Sequence, residues 1–149
     1  MSSLSLSEFS DQVVEIMPVI SREFYKKQTG EFYKMKITMP QFVLLEILHR
    51  EGQSRMTDLA RLINVSTAAM TGIVDRLVRD GYVVRTSDPE DRRIVKVRLT
   101  GKGNSAVEKM SEQKKKMVMK MFGIVSQKER EEYLKILAHI RDHIVENSH

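Results

Sequence analysis

The sequence predicts a mainly α, α+β fold in which a helix-turn-helix is followed at once by a β-hairpin, with longer helices before and after. Three observations predict it. Two short helical patterns are separated only by Asn64 and Val65. The apolar period then switches from helical to alternating between Tyr82 and Thr100. Beyond Gly101 the helical period returns and continues almost to the end of the chain.

At the N-terminus, Ser5 and Glu8 have the spacing of a capping box, in which each side chain reaches the other residue's backbone N–H. Phe9, Val13, Ile16, Ile20 and Phe24 then form one apolar stripe. Pro18 lies inside it and is expected to kink or break the helix. Residues 28–36 are polar and basic around Gly30 and read as a connector. Thr38 and Gln41 cap a second helix carrying Phe42, Leu45 and Leu48, and Gly52 is its stop.

Met56, Leu59, Ala60, Leu62 and Ile63 mark a third helix, and Asn64 suits a left-handed position after it. Ser66 is a good N-cap for the next helix, which places Met70, Ile73, Val74 and Leu77 on one face before Gly81. A short β run at Tyr82, Val83 and Val84 leads into turn chemistry over 86–91. From Arg92 to Thr100, Val95, Val97 and Leu99 alternate with Lys96 and Arg98, as in a half-exposed strand. A hairpin directly behind a helix-turn-helix is the wing of a winged helix. After Gly101, Val107, Met110, Met117 and Met121 form a stripe, flanked by Lys114, Lys115, Lys116 and Lys120. Gly123 interrupts, Ser126 and Glu129 make another capping box, and Tyr133, Leu137, Ile140 and Ile144 define the last helix.

With 149 residues, 41% of them apolar, the chain can bury a core within one domain or one compact protomer. Twenty-five Lys and Arg against 20 Asp and Glu leave a net charge of +5, which favours an anionic partner. The absence of cysteine excludes disulfides, thiolate zinc sites, a cysteine nucleophile and thiol redox sensing. The Ser-rich start lacks a basic n-region and no apolar window approaches a membrane span, so a soluble, cytoplasmic protein with no membrane partner is expected. There is no Gly-rich phosphate loop, no Gly-x-Ser-x-Gly and no His-Glu-x-x-His. Neither catalysis nor a cofactor is expected.

A B-DNA major groove admits one helix, read from its N-terminal turns. The helix from Ser66 to Arg79 opens with the short residues Ser66, Thr67, Ala68, Ala69 and Thr71, which allow close approach, hydroxyl contacts and methyl packing on thymine. Ser66, Thr67, Ala68, Met70 and Thr71 are the candidate groove residues; Arg76 and Arg79, later on the helix, suit phosphates. The plainer reading makes Ser66 only a cap and the alanines only helix formers. In the hairpin, Arg85, Arg92, Arg93, Lys96 and Arg98 cluster against Asp88, Glu90 and Asp91. A guanidinium at the tip can enter the minor groove, and Asp91 can fix an arginine's direction in a fork-like pair. The bland alternative is a polar turn kept soluble by mixed charge.

Over 56–103, about a third of the chain, the sequence resembles the MarR family of winged-helix regulators. The resemblance is carried by Leu59-Ala60, by Ser66 followed by Val74-Asp75-Arg76-Leu77 and Gly81, and by Asp88-Pro89-Glu90-Asp91-Arg92-Arg93 ending in Leu99-Thr100 and Gly103. It implies a homodimer with intertwined terminal helices and one DNA-binding lobe per protomer. The organisation is then 1–36 for an N-terminal dimerisation helix and connector, 37–100 for the lobe and 101–149 for C-terminal dimerisation helices. It also implies the Ser66 helix in the major groove and Arg93 at the minor groove, oriented by Asp91, with Arg92 as the other occupant. Two departures, Gly72 and Ala69 where polar residues are common, put base preference in doubt.

The expected function is a sequence-specific double-stranded DNA-binding regulator. It would act as a homodimeric repressor on a pseudo-palindromic operator, relieved by a small-molecule effector. Met17, Tyr25, Tyr33 and His49 are candidates to line an effector cleft, although ordinary core or surface roles explain them as well. His139 and His143, spaced i, i+4, could present two nitrogens to a metal, with His149, Asp142 and Glu146 the candidates for a third ligand; a solvated pair, and so no metal, is the expectation. The methionine stripe reads as dimer core rather than an oxidation sensor. The alternatives are a winged-helix protein-interaction module and a non-specific architectural DNA binder.

Overall fold

A computed structural model describes residues 3–26 and 34–148. In chain order the elements are α1 (Leu6–Lys26), α2 (Met39–Glu51), β1 (Ser54–Arg55), α3 (Met56–Ile63), α4 (Thr67–Arg79), β2 (Val83–Ser87), β3 (Val95–Leu99), α5 (Gly101–Phe122) and α6 (Gln127–Glu146). The described residues are mostly helical, with one small antiparallel sheet among them in the order β1-β3-β2.

The caps lie where the side-chain chemistry puts them. Ser5 N–H donates to Glu8 Oε2 at 2.9 Å and Glu8 N–H to Ser5 Oγ at 3.2 Å. Hydrogen bonding to Ser5 holds the Glu8 carboxyl below its ordinary value. Thr38 with Gln41, and Ser126 with Glu129, close the same reciprocal pair on α2 and α6. Gly52 ends α2, its N–H donating to the Leu48 carbonyl at 2.9 Å. Pro18 does not break α1, which runs on to Lys26. A proline forfeits one backbone bond, here to the carbonyl of exposed Val14, which water can satisfy.

One core joins α2 to the helix-turn-helix, the sheet and the first half of α5. Leu44, Leu45 and Leu48 pack with Leu59, Met70, Val74, Leu77, Val83, Val97 and Val107. Leu62, expected on the apolar face of α3, is 62% exposed. The helix has only eight residues, and Leu59 and Ala60 fill the contact it can make. Val107 and Met110 also differ from expectation. They are buried in this lobe rather than reserved for a dimer core, and only Met117 and Met121 continue the stripe beyond it, half-buried.

The hairpin is shifted relative to the sequence reading. β2 extends to Ser87, and β3 begins only at Val95. Between them Asp88 N–H donates to the Ile94 carbonyl and Ile94 N–H to the Asp91 carbonyl, each at 3.0 Å, so 88–94 is the turn. β1 was not foreseen. It pairs Ser54 with Val97 and Arg55 with Lys96. No described helix is long and apolar enough to cross a membrane.

Candidate nucleic-acid interface

The turn between α3 and α4 is built by Asn64, whose φ of 58° and ψ of 50° are left-handed. Its short polar side chain tolerates that region better than most. Val65 N–H then donates to the Ala60 carbonyl at 3.0 Å, closing the end of α3. Ser66 Oγ accepts from Ala69 N–H at 3.1 Å and starts α4. Met70, Val74 and Leu77 bury one face, and Ser66, Thr67, Ala68, Ala69, Thr71, Gly72 and Arg76 stand exposed on the other. Met70 is therefore corrected. It has no exposed surface, because it shares the helical face of Val74, and it cannot touch a groove. The Thr71 hydroxyl donates to the Thr67 carbonyl at 2.9 Å, so its proton is committed and it offers outward only an acceptor and a methyl.

The wing turn is organised by two aspartates. Asp88 Oδ1 accepts from Glu90 N–H at 2.9 Å and from Asp91 N–H at 3.4 Å, and Lys96 Nζ lies 3.2 Å from its Oδ2. The Glu90 N–H foremost, and then Lys96, hold the Asp88 carboxyl below its ordinary value. Asp91 grips Arg93 through three donors: backbone N–H to Oδ1 at 3.0 Å, Nε to Oδ1 at 3.2 Å and an Nη to Oδ2 at 3.4 Å. The Arg93 side chain is nevertheless 92% exposed. Its direction is set and its remaining donors face water.

The other cations divide into two groups. Arg85 pairs with Asp75, Lys96 with Asp88 and Arg79 with its neighbour Asp80. Arg76, Arg92 and Arg98 are exposed, and no salt bridge engages them among the described residues. Of the cluster singled out from sequence, Arg92, Arg93 and Arg98 thus remain available to an anion, with Arg76 on the adjacent helix.

Sequence reasoning missed the latch that seats the wing on α5. Thr100 N–H donates to the Tyr82 carbonyl at 3.0 Å, and the Thr100 hydroxyl to the Gly81 carbonyl at 2.6 Å. The same hydroxyl oxygen accepts from Gly103 N–H at 3.1 Å and caps α5. Lys102 donates to the Asp80 carbonyl at 2.6 Å and lies over the Tyr82 ring, 4.5 Å from its centroid. The Leu-Thr-x-x-Gly signal marked this place without revealing its purpose.

Of the other candidate residues, His49, Met17, His139 and His143 lie among those whose side chains are described. His49 Nδ1 lies 3.3 Å from Asn104 Oδ1, an exposed link between α2 and α5. Met17 is half-exposed on α1. The Tyr25 side chain, Tyr33 and His149 lie outside the described residues. His139 and His143 are exposed on α6, and among the described residues no group of three His, Cys, Asp or Glu could hold a metal.

Comparison with known proteins places this geometry. The model of the MarR family matches residues 37–95, from the start of α2 through the wing turn. The chain is 32% identical over 108 residues to the uncharacterised HTH-type transcriptional regulator YdgJ of Bacillus subtilis, spanning 72% of this chain and 66%, just under two thirds, of that protein. Among solved structures, a MarR family protein from Bacillus stearothermophilus is similar with a TM-score of 0.77, at 22% identity over 95% of this chain and 99% of that one. Streptococcus pneumoniae FabT, solved in complex with DNA, is similar with a TM-score of 0.75, at 19% identity over 97% of this chain and 100% of that one. At those identities the two structures show a shared fold.

Proposed function

We propose that the chain, which matches the MarR family model over residues 37–95 and is similar to proteins named as transcriptional regulators, is a member of that family that binds double-stranded DNA sequence-specifically and regulates transcription as a cytoplasmic homodimer. The observation that carries the reading is Arg93, held in a fork by Asp91 at the tip of a hairpin while almost fully exposed. An arginine so aimed suits a narrow minor groove, where the negative potential is strongest. The exposed short residues of α4, Ser66, Thr67, Ala68 and Thr71, suit the adjoining major groove. Arg76, Arg92 and Arg98 would meet phosphates. FabT, of the same fold, was crystallised with DNA.

The homodimer is supported by the helices flanking the lobe. Phe9, Ile16 and Ile20 on α1, and Leu137, Ile140 and Ile144 on α6, are exposed in the single chain. Two lobes so joined would address half-sites about 34 Å apart, the repeat of one helical turn, and hence a pseudo-palindrome. Repression relieved by a small effector belongs to the same proposal, because a small change in lobe spacing would break that match.

Selection from a random duplex pool, followed by titration at two salt concentrations, tests it. A pseudo-palindromic motif bound with steep salt dependence is the expected result. Equal binding of every duplex would make the protein an architectural binder. Absence of binding even in dilute salt would leave a protein-interaction module.

A further inference from the structure

The hairpin is joined to α4 covalently by only Asp80, Gly81 and Tyr82, and Gly81 sits at φ +82°. At this junction Tyr82 N–H donates to the Leu77 carbonyl at 2.9 Å. The base of the sheet is held by Val83 and Val97 in the core and by β1 beside β3, but the chain itself passes from α4 to the wing only through this hinge. The angle at the hinge matters, since α4 and the wing must enter two adjacent grooves together.

A side-chain link between the wing and α4 lies further along β2. Arg85 lies on β2 opposite Val97, two residues after Val83, and both valines are fully buried. By the alternation of a strand, Arg85 therefore leaves the core-facing side of the sheet, at its rim, rather than the outer side. From there one guanidinium nitrogen reaches the Asp75 carboxylate and also donates to the Thr71 carbonyl at 3.4 Å, both on α4. Asp75 lies on the exposed side of the helix, one residue before Arg76. Without Arg85 it would present an uncompensated negative charge toward phosphates.

We infer, building on the DNA-binding reading above, that Arg85 and Asp75 are a pair of positioning residues. They lock the angle between α4 and the wing, and so determine discrimination between operator and other DNA without themselves touching it. Simple electrostatics and this role predict opposite signs for one substitution. Asp75→Ala removes a negative charge from the DNA-facing helix, so charge alone would tighten binding. Loss of the lock weakens binding to the operator.

The test uses the full chain, the duplex recovered by selection and a scrambled duplex of equal length. Wild type, Arg85→Ala, Asp75→Ala and the double variant are titrated across a salt series, and their thermal melting is recorded. Each single variant is expected to lower the operator-to-scrambled affinity ratio about tenfold with little change in melting, and the double variant is expected to lose no more than the worse single, as for groups acting as one unit. The slope of log K against log salt should stay at the wild-type value for Arg85→Ala. A slope shallower by about 0.9, the signature of one lost phosphate contact, would overturn the positioning role. So would an Asp75→Ala variant that binds the operator as tightly as wild type, or additive losses in the double. A wild-type protein with no affinity for either duplex overturns the DNA-binding reading itself, a result separable from all of these.

Discussion

Among the described glycines, Gly103 should be the one where an added methyl does most damage. A Cβ there would sit 2.1 Å from the Tyr82 carbonyl oxygen, 3.1 Å from the Tyr82 carbonyl carbon and 3.0 Å from Leu99 Cδ2. The first two neighbours are backbone, and an ordinary carbon-to-oxygen approach is about 3.3 Å, so the two segments must part by roughly 1 Å. If Tyr82 retreats, its carbonyl loses the 3.0 Å bond from Thr100 N–H. If α5 retreats, Val107 and Met110 leave the lobe core. A lost hydrogen bond at about 1 kcal/mol and overpacking at about 1–3 kcal/mol give a cost of roughly 2–4 kcal/mol. For a chain of this size that lowers the melting temperature by about 5–15 °C. The control is Gly72→Ala, the same change in the exposed middle of α4, where nothing lies within 4 Å of the new Cβ. There alanine should stabilise by about 0.5–1 kcal/mol through helix propensity alone. Thermal melting by circular dichroism at fixed protein concentration reads both. A Gly103→Ala protein melting at or above wild type would refute the close-approach account.

Other perturbations test other parts. Arg93→Ala should weaken operator binding about ten- to a hundredfold and leave the oligomeric state unchanged, with Asp91→Ala doing the same more mildly; an unaltered titration would remove the wing tip from the interface. Asp88 has a folded pKa below its ordinary value, so its contribution is present above about pH 4 and is lost as pH falls through the lower folded value. The Glu90 amide should accordingly keep its protection in hydrogen exchange from pH 7 to 5 and lose it only in stronger acid; loss already between 7 and 5 would contradict the assignment. Ile140→Glu should raise the dimer dissociation constant about a thousandfold, since each of two symmetric copies forfeits about 2 kcal/mol of burial. Light scattering that shows an unchanged dimer would take Ile140 out of the interface.

Much of this was legible because the signals are local. Three of the N-caps found from Ser or Thr side chains were marked by a Gln or Glu three residues on, and the turn at Asn64 by a residue that tolerates positive φ. Periodicity located α4 and the hairpin, since both alternate their faces over several residues. What escaped depends on contacts made at a distance. A strand of two residues, β1, carries no period of its own and exists only because β3 lies beside it. From sequence Met70 fits both core and groove, and only the packing of Val74 and Leu77 beside it decides for the core. Arg85 and Asp75 stand ten residues apart on different elements, and nothing in their spacing marks them as partners.

In the second half of the chain, side-chain contacts join the lobe to the C-terminal helices as one mechanical object. α5 belongs to both: its first turns lie in the lobe core at Ala106, Val107 and Met110, while its later turns project beyond it. Lys114 is a tie beyond that core, its Nζ 2.9 Å from Glu46 Oε1 and 4.2 Å from the centre of the Phe42 ring, both on α2. At the far end Arg130 donates to the Phe122 carbonyl at 3.2 Å, and the rings of Phe122 and Tyr133 lie 5.1 Å apart, which ties the corner into α6. No residue of α6 is buried in the single chain, so the packing that supplies most of a helix's stability in proteins is missing there, and a partner surface over Leu137, Ile140 and Ile144 would supply it. From Met110 to Phe122 is about 18 Å of helix at 1.5 Å per residue, so a tilt of roughly 10° at the α6 corner displaces the lobe end by about 3 Å. That displacement rivals the separation of successive base pairs, about 3.4 Å. In the proposed homodimer, a change in the packing of α1 and α6 would therefore move both wings relative to the DNA without any change inside the lobe.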